Sequence, residues 1–437
     1  WDGLSKYLNE LTKKIDIGKK VSPTFQLLSL IDDPSIHKKS AEIFSNHDYP
    51  KSNTFTKISN YHNHEKIKIG YFSPDFRNHP VPRLNAELYE IHDRKKFEIY
   101  AFSFGQDTKD EMNIRIKAGV DHFHDVNMMS DRDVVKLARS LEIDIAVDLG
   151  GFTTGSRQGI FAMSTAPIQV NYLGYPGTMG VDYMDYLIAD KTIIPKEKHK
   201  YYSEKIVYMP YSYQANLSKS NISPTSLTRK EVGLPDIGFV FCCFNNQHKI
   251  TPTTFAGWMR ILKVSEGSVL WLLIKNDSSA KNLKKEAAKF GVNEDRLIFA
   301  PSISNEDHLR RIQLADLFLD TLPYNAHTTA SDALRVGLPL LTCKGNSFAS
   351  RVAASLLNSV NLPEMITTSQ DQYESFAIEL ASNPEKMKTI KDKLVFNLNT
   401  APLYNAELYT RHLEAAYLKM HRLNQKKLNP DYIEINN

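Results

Sequence analysis

The residues best placed to do chemistry are a lysine, three histidines and a pair of threonines near expected strand ends. Lys249 lies in Phe244-Asn245-Asn246-Gln247-His248-Lys249-Ile250-Thr251-Pro252, between an apolar run and a helix start. Its ammonium there can neutralise a diphosphate as a point charge; a solvated loop lysine is the plainer reading. His327-Thr328-Thr329 opens a helix just after the turn Leu322-Pro323-Tyr324-Asn325-Ala326. Backbone N–H groups at such a start, beyond the carboxyl end of a strand, form an anion site. Thr329-Ala330-Ser331-Asp332 has capping-box spacing, and Gly337 with Pro339 ends the helix. His308 and Arg311 lie three apart, on one face of a short helix. They suit either a base or ribose contact or a solvated charged face.

His79 stands in Asp75-Phe76-Arg77-Asn78-His79-Pro80, after a strand. Its imidazole titrates near neutrality, so it reads as an acid/base or hydroxyl-orienting group, or as a loop histidine held by backbone. Gly150-Gly151-Phe152-Thr153 and Gly174-Tyr175-Pro176-Gly177-Thr178 also follow strands. Glycine there either admits a ligand close to the backbone or marks a turn. Asp131-Arg132-Asp133 has the spacing of a metal–diphosphate site, but it opens a helix, where acidic residues already suit the dipole. No zinc-ligand spacing, P-loop or nucleophile elbow occurs.

These residues need a scaffold, and the hydrophobic pattern supplies one. Strands are expected at 67–72, 97–104, 143–149, 167–172, 186–189 and 206–209. A second series is expected at 239–244, 269–274, 297–300, 314–320 and 338–342. Helices alternate with them, including 83–92, 131–141, 252–264, 280–290, 370–381, 384–398 and 406–420. Alternation of this kind predicts βαβ units and mainly parallel sheets. Leu4, Leu8, Leu11 and Ile15 form a helical stripe before them. The expected division is an N-terminal helical segment 1–62, a Rossmann-like domain 63–212, a polar linker 213–237, a second Rossmann-like domain 238–400, and a C-terminal helix with a loose tail, 401–437.

The 437 residues are enough for two or three domains. A hydrophobic share of 42% and a charged share of 24% are ordinary for a globular chain. The net charge of +4 does not favour a nucleic-acid partner. Three cysteines, two of them adjacent, read as buried thiols in a reducing compartment rather than a disulfide framework. No apolar run is long enough to span a membrane. The chain opens at Trp1 inside a helical pattern, so a fragment of a longer protein is expected.

Taken in order, YFSPDFRNHP, APIQVNYLGYPGT, MDYLIAD, YSEKIVYMPYSYQ, FNNQHKITP, SVLWLL, RRIQLADLFLDTLPYNAHTTASDAL and ASRVAAS resemble the O-GlcNAc transferase/SPINDLY family of glycosyltransferases. The resemblance runs from about Lys66 to Leu418. It implies an α/β GT-B fold, two Rossmann-like domains facing a cleft. It also implies inverting, metal-independent transfer of GlcNAc from UDP-GlcNAc to Ser or Thr of cytoplasmic proteins. No cofactor is expected beyond that co-substrate.

By position, His79 matches the family's active-site histidine, and Lys249 the lysine that stabilises the departing diphosphate. Asn246 stands where a donor-binding glutamine is usual. Ile303, Ser304 and Asn305 match the segment whose backbone meets the base. His308 and Arg311 match the uridine side, His327, Thr328 and Thr329 the phosphate turn, and Asp332 the ribose aspartate. Gly174, Tyr175, Pro176, Gly177 and Thr178 are carried over as donor-side residues. The chain departs from the family at Asn305, usually lysine, at Arg83, where a second histidine is expected, and at Phe152, often histidine in bacterial relatives. A SPINDLY-like O-fucosyltransferase using GDP-fucose and an inactive nucleotide-sugar-binding module are the alternatives. Upstream tetratricopeptide-type repeats would suit the helical start.

Overall fold

The computed structural model describes residues 1–56, 58–61, 64–224 and 226–436. In chain order its strands are β1 Ile67–Ser73, β2 Phe97–Ser103, β3 His122–Asp125, β4 Ile145–Asp148, β5 Ile168–Asn171, β6 Tyr186–Asp190, β7 Lys205–Met209, β8 Val240–Cys243, β9 Val269–Leu273, β10 Leu297–Ala300, β11 Leu317–Leu319, β12 Leu340–Cys343, β13 Ile366–Thr367 and β14 Ile433–Glu434. They form two parallel sheets, ordered β14-β7-β6-β5-β4-β1-β2-β3 and β10-β9-β8-β11-β12-β13.

The chain divides into two compact units. The unit holding the first sheet comprises Gly3–Leu28, Asp33–Ser218 and Pro402–Asn437. The unit holding the second comprises Trp1–Asp2, Ser29–Asp32 and Lys219–Ala401. The helices Leu4–Asp16 and Pro34–Asp48 and the long helix Ala406–Gln425 therefore count with the first sheet rather than as separate segments.

Strand composition explains the layering. β4 (Ile-Ala-Val-Asp), β6 and β8 are buried at every position, as expected of parallel strands covered on both faces. Helix starts are set by local donors and acceptors. Ser130 accepts from the Asp133 N–H at 3.2 Å. Thr251 accepts from Thr254 N–H at 3.2 Å, with Pro252 in the first turn.

In each sheet the chain reverses its direction of travel at one place. β1 leads outward to β2 and β3, whereas β4 returns on the other side of β1. Likewise β8 leads to β9 and β10, and β11 pairs with β8 from the opposite side. Such switch points open a crevice at the carboxyl ends of the strands. The loop after β1 carries His79; the loops after β8 and β11 carry Lys249 and the turn 320–327.

Several expectations are corrected. The strand expected at 314–320 shortens to Leu317–Leu319, because Ile312–Leu314 forms a 3-10 turn. The helix Glu111–Gly119 and strand β3 were not expected; β3, His-Phe-His-Asp, is an edge strand with no fully buried residue and no apolar run to announce it. The polar tail is not loose. Ile433 and Ile435 alternate into the core at 4% exposure each, and β14 pairs with β7. Two apolar residues are too few to register as a period. Ile433→Ala should lower stability by about 2 kcal/mol, the lower end for a buried isoleucine, measured as a reduced melting temperature.

Candidate donor site at the second switch point

The loop after β8 and the turn after β11 meet through one buried carboxylate. Asp320 Oδ1 accepts from the N–H groups of Thr321 (2.8 Å) and Ala326 (2.6 Å). Its Oδ2 accepts from Thr342 Oγ1 at 2.7 Å. Asn245, also buried, donates from Nδ2 to Thr321 Oγ1 (2.8 Å) and to Asp320 Oδ1 (3.3 Å). Its Oδ1 accepts from Thr329 Oγ1 at 2.5 Å. The strand end, the turn and the next helix are thus tied together by side-chain hydrogen bonds.

Lys249 lies over this turn. Its Nζ donates to the Asn325 carbonyl at 2.8 Å and lies 3.7 Å from the centroid of the Tyr324 ring. It is half-buried, not a solvated loop lysine. Burial lowers its pKa to about 8, against the opposing pull of the Asp320 charge. Burial likewise raises Asp320 to about 6, while its hydrogen bonds and then Lys249 oppose the rise. Each ion is less stable than it would be in water, and each is the other's partial compensation.

His327 is the N-cap of the helix Thr328–Arg335. Its carbonyl accepts from Ala330 and Ser331, both at 3.1 Å. The N–H groups of Thr328 and Thr329 come before those first helical bonds and have no place in the helix ladder. The His327 imidazole contacts the Ala349 carbonyl at 3.3 Å. Burial, reinforced by the Lys249 charge, holds its pKa well below the ordinary value, so it is neutral. The expected capping box does not form. Thr329 sits two residues inside the N-cap His327, and its hydroxyl is taken by Asn245. Asp332 is half-buried in the second turn.

The short helix Asn305–Arg311 is capped by Ser304, which accepts from Asp307 N–H at 3.2 Å. Arg311 is 4% exposed, so the solvated-face reading fails. Its Nη1 donates to the Pro301 carbonyl at 2.6 Å and its Nε to His308 Nδ1 at 3.2 Å. The guanidinium lies 4.9 Å from the centroid of the Phe244 ring, and His308 packs edge-on to the same ring at 5.0 Å. This clasp presents the exposed segment holding Ile303 and Ser304, with half-buried Asn305 next along the chain. Asn246 is exposed at the start of the 3-10 turn Gln247–Lys249.

The remaining candidates lie in the other unit. His79 is the N-cap of the helix Pro80–Ile91, its Nδ1 3.4 Å from Val81 N–H and 3.6 Å from Asp75 Oδ2. Burial lowers its pKa, with Asp75 opposing, so the ring is neutral and able to accept a proton. Arg83 donates to Asn78 Oδ1 at 2.7 Å. Within Gly174–Thr178, Tyr175 and Thr178 are buried. Thr178 donates to Glu204 at 2.6 Å, and Tyr175 packs edge-on to Phe152 at 5.1 Å. A Cβ at Gly174 would strike the Leu149 carbonyl, so this glycine serves backbone packing. Asp131 pairs with Arg157 and Asp133 with Lys136, which spends the D-x-D spacing on ordinary ion pairs. Among the described residues no cluster of three or more His, Cys, Asp or Glu is arranged to hold a metal. All three cysteines are free and buried.

The profile of glycosyl transferase family 41 matches residues 43–217 and 214–413. The chain belongs to glycosyl transferase family 41. It is 36% identical over 377 residues to an Arabidopsis thaliana protein named as a probable UDP-N-acetylglucosamine–peptide N-acetylglucosaminyltransferase SEC, covering 85% of this chain and 39% of that one. A rice protein of the same enzyme name, SPINDLY, is 31% identical, covering 82% of this chain and 39% of that one. The chain thus spans about two fifths of the length of these curated relatives. A solved mutant of Thermobaculum terrenum O-GlcNAc transferase superposes with a TM-score of 0.83 at 28% identity, covering 91% of this chain and 76% of that one. The fold of this family 41 chain is GT-B.

Sequence reasoning found Lys249 and the His327–Thr329 turn but missed Asp320 as the residue that joins them. The signal was present: in Leu317-Phe318-Leu319-Asp320 a carboxylate ends a fully apolar strand, where a buried acid must find donors. Asp320→Ala in the family 41 chain leaves the Thr321 and Ala326 N–H groups without this acceptor. It should destabilise by about 3 kcal/mol, read by denaturant unfolding of the purified protein.

Proposed function

We propose that the chain is the catalytic region of a protein O-GlcNAc transferase, moving GlcNAc from UDP-GlcNAc to Ser or Thr of proteins with inversion and without a metal. The observation that carries this reading is the placement of Lys249 on the turn that leads into the open N–H groups of Thr328 and Thr329, at the switch point of a parallel sheet. Cleavage of a sugar–diphosphate bond builds negative charge on the leaving phosphate. An ammonium and preset N–H donors stabilise that charge without reorganising at the moment of reaction. The names carried by the relatives, SEC and SPINDLY alike, support a UDP-GlcNAc donor and a peptide acceptor.

In this reading Thr328 and Thr329 hold the diphosphate, Lys249 its leaving charge, and Asp332 the ribose. Ile303, Ser304, Asn305, His308 and Arg311 hold the base, with Asn246 beside the donor. Neutral His79 serves the acceptor and sugar. The acceptors in this reading are cytoplasmic proteins.

Lys249→Met should abolish turnover, a loss equivalent to roughly 3–4 kcal/mol or more of transition-state stabilisation, while the variant still unfolds in a cooperative melting transition. Intact-mass analysis of an acceptor protein reads the product, and an increment other than one N-acetylhexosamine overturns the donor assignment. Calorimetry with UDP and GDP gives a second check, with UDP expected to bind more tightly.

The pH dependence follows from Lys249. Its ammonium is the competent form, and burial brings its pKa down to about 8. kcat/KM, which reports the free enzyme, should therefore fall as pH rises through about 8. Asp320 raises the Lys249 pKa, so Asp320→Asn should move this falling limb to lower pH. A limb unmoved in that variant would show that another group titrates.

A further inference from the structure

The turn that holds Lys249 is itself held from behind by the loop between β12 and the helix Val352–Ser359. The Ala349 carbonyl accepts from Asn325 N–H at 3.0 Å and contacts His327 Nε2 at 3.3 Å. Asn325 in turn offers its carbonyl to Lys249 Nζ. Two residues on either side of the diphosphate turn's geometry therefore depend on where Ala349 stands.

What fixes that loop comes from more than three hundred residues away in sequence. Asp32 Oδ2 accepts from Asn346 N–H at 2.7 Å. Asp32 Oδ1 accepts from Ser347 N–H at 2.9 Å and from the Ser350 hydroxyl at 2.6 Å. The Ser350 hydroxyl also accepts from Ser347 N–H at 3.0 Å. Ser347, Ala349 and Ser350 are fully buried. A Cβ on Gly345 would strike both the Asp32 carboxylate and Ser350 Oγ, so the loop is built to admit that carboxylate. Arg351 closes it by donating to the Gly345 carbonyl at 2.9 Å. Residues Ser29–Asp32 count with this unit, although they come from the N-terminal segment. The next residue, Asp33, is used locally as the N-cap of Pro34–Asp48.

We propose that Asp32 is a positioning residue for the donor site, its carboxylate setting the loop Gly345–Arg351 so that Ala349 holds Asn325 and His327 in place beneath Lys249. The inference rests on the proposed function for its ligand, UDP, but its geometry stands without it. Asp32 touches no substrate; it acts through the loop. Three charge-assisted hydrogen bonds converge on one carboxylate, each stronger than a neutral one, and their loss frees a backbone segment rather than a single side chain.

The test compares the wild type with Asp32→Ala, Asp32→Asn and Gly345→Ala by two measurements. One is UDP affinity by calorimetry. The other is the ring resonances of His327 in the ligand-free protein. Asp32→Ala is expected to weaken UDP binding about tenfold or more and to shift the His327 resonances. Asp32→Asn retains an acceptor for Ser347 and Ser350 and should fall between that variant and the wild type. Gly345→Ala, which displaces the carboxylate from the other side, should reproduce the Asp32→Ala effect, and the double variant Asp32→Ala/Gly345→Ala should add nothing to it. A lower melting temperature with UDP affinity and His327 resonances unchanged would overturn the proposal, leaving Asp32 a plain structural residue. Should Asp32→Ala not fold, Asp32→Asn and Gly345→Ala decide by the same readings. If the wild type binds no UDP, the proposed function fails, while the His327 resonances still decide the positioning role.

Discussion

A carboxylate buried at the end of a strand is costly unless donors surround it, and Asp320 shows how a parallel sheet supplies them. The chain must leave β11, turn and start a helix within eight residues, which brings backbone N–H groups back toward the strand end. Asp320 collects two of these together with the Thr342 hydroxyl. The same carboxylate is the countercharge of Lys249. A buried ion pair gives little net stability, because desolvation offsets the attraction. Its use here is electrostatic: the Asp320 charge raises the Lys249 pKa against the lowering by burial, which favours the ammonium.

The opposing pKa movements of the pair follow from that balance. Burial pushes the acid up and the base down, and each partner resists the shift of the other. On the proposed reading, an arriving diphosphate supplies the additional negative charge that Lys249 lacks in the free protein. Neutral His327 beside it adds no competing positive charge. On the same reading the N–H groups of Thr328 and Thr329 add donors that carry no net charge.

The first sheet repeats the device. Asp148 ends β4 and accepts from the N–H groups of Gly150 (2.9 Å) and Gly151 (3.1 Å). Asp190 ends β6 and accepts from Thr192 and Ile193. Gly151 has φ 56° and faces Tyr175 so closely that a Cβ would collide. At Gly151 and Gly174 the missing side chain therefore makes room for neighbouring protein atoms. Sequence alone does not separate this use from ligand approach, since both demand the same missing side chain.

The hydrophobic pattern was enough to set the alternation of strands and helices, and hence two parallel sheets, because fully apolar runs between helical stripes have few other ways to bury both faces. The sequence also singled out Lys249, His79 and the His327–Thr329 turn as candidates, though local chemistry left each beside a plainer reading and the family resemblance supplied their roles. Tertiary structure alone decided that Asn245 rather than a capping box takes the Thr329 hydroxyl, that Arg311 is buried against Phe244, and that Ile433–Glu434 closes a sheet edge. It also decided that Asp32 reaches the loop at Gly345–Arg351. Each of these is a pairing between residues more than sixty positions apart, whose partners lack any shared local period. Polar groups choose such partners by where folding leaves an unsatisfied donor, and that is a property of the packed chain.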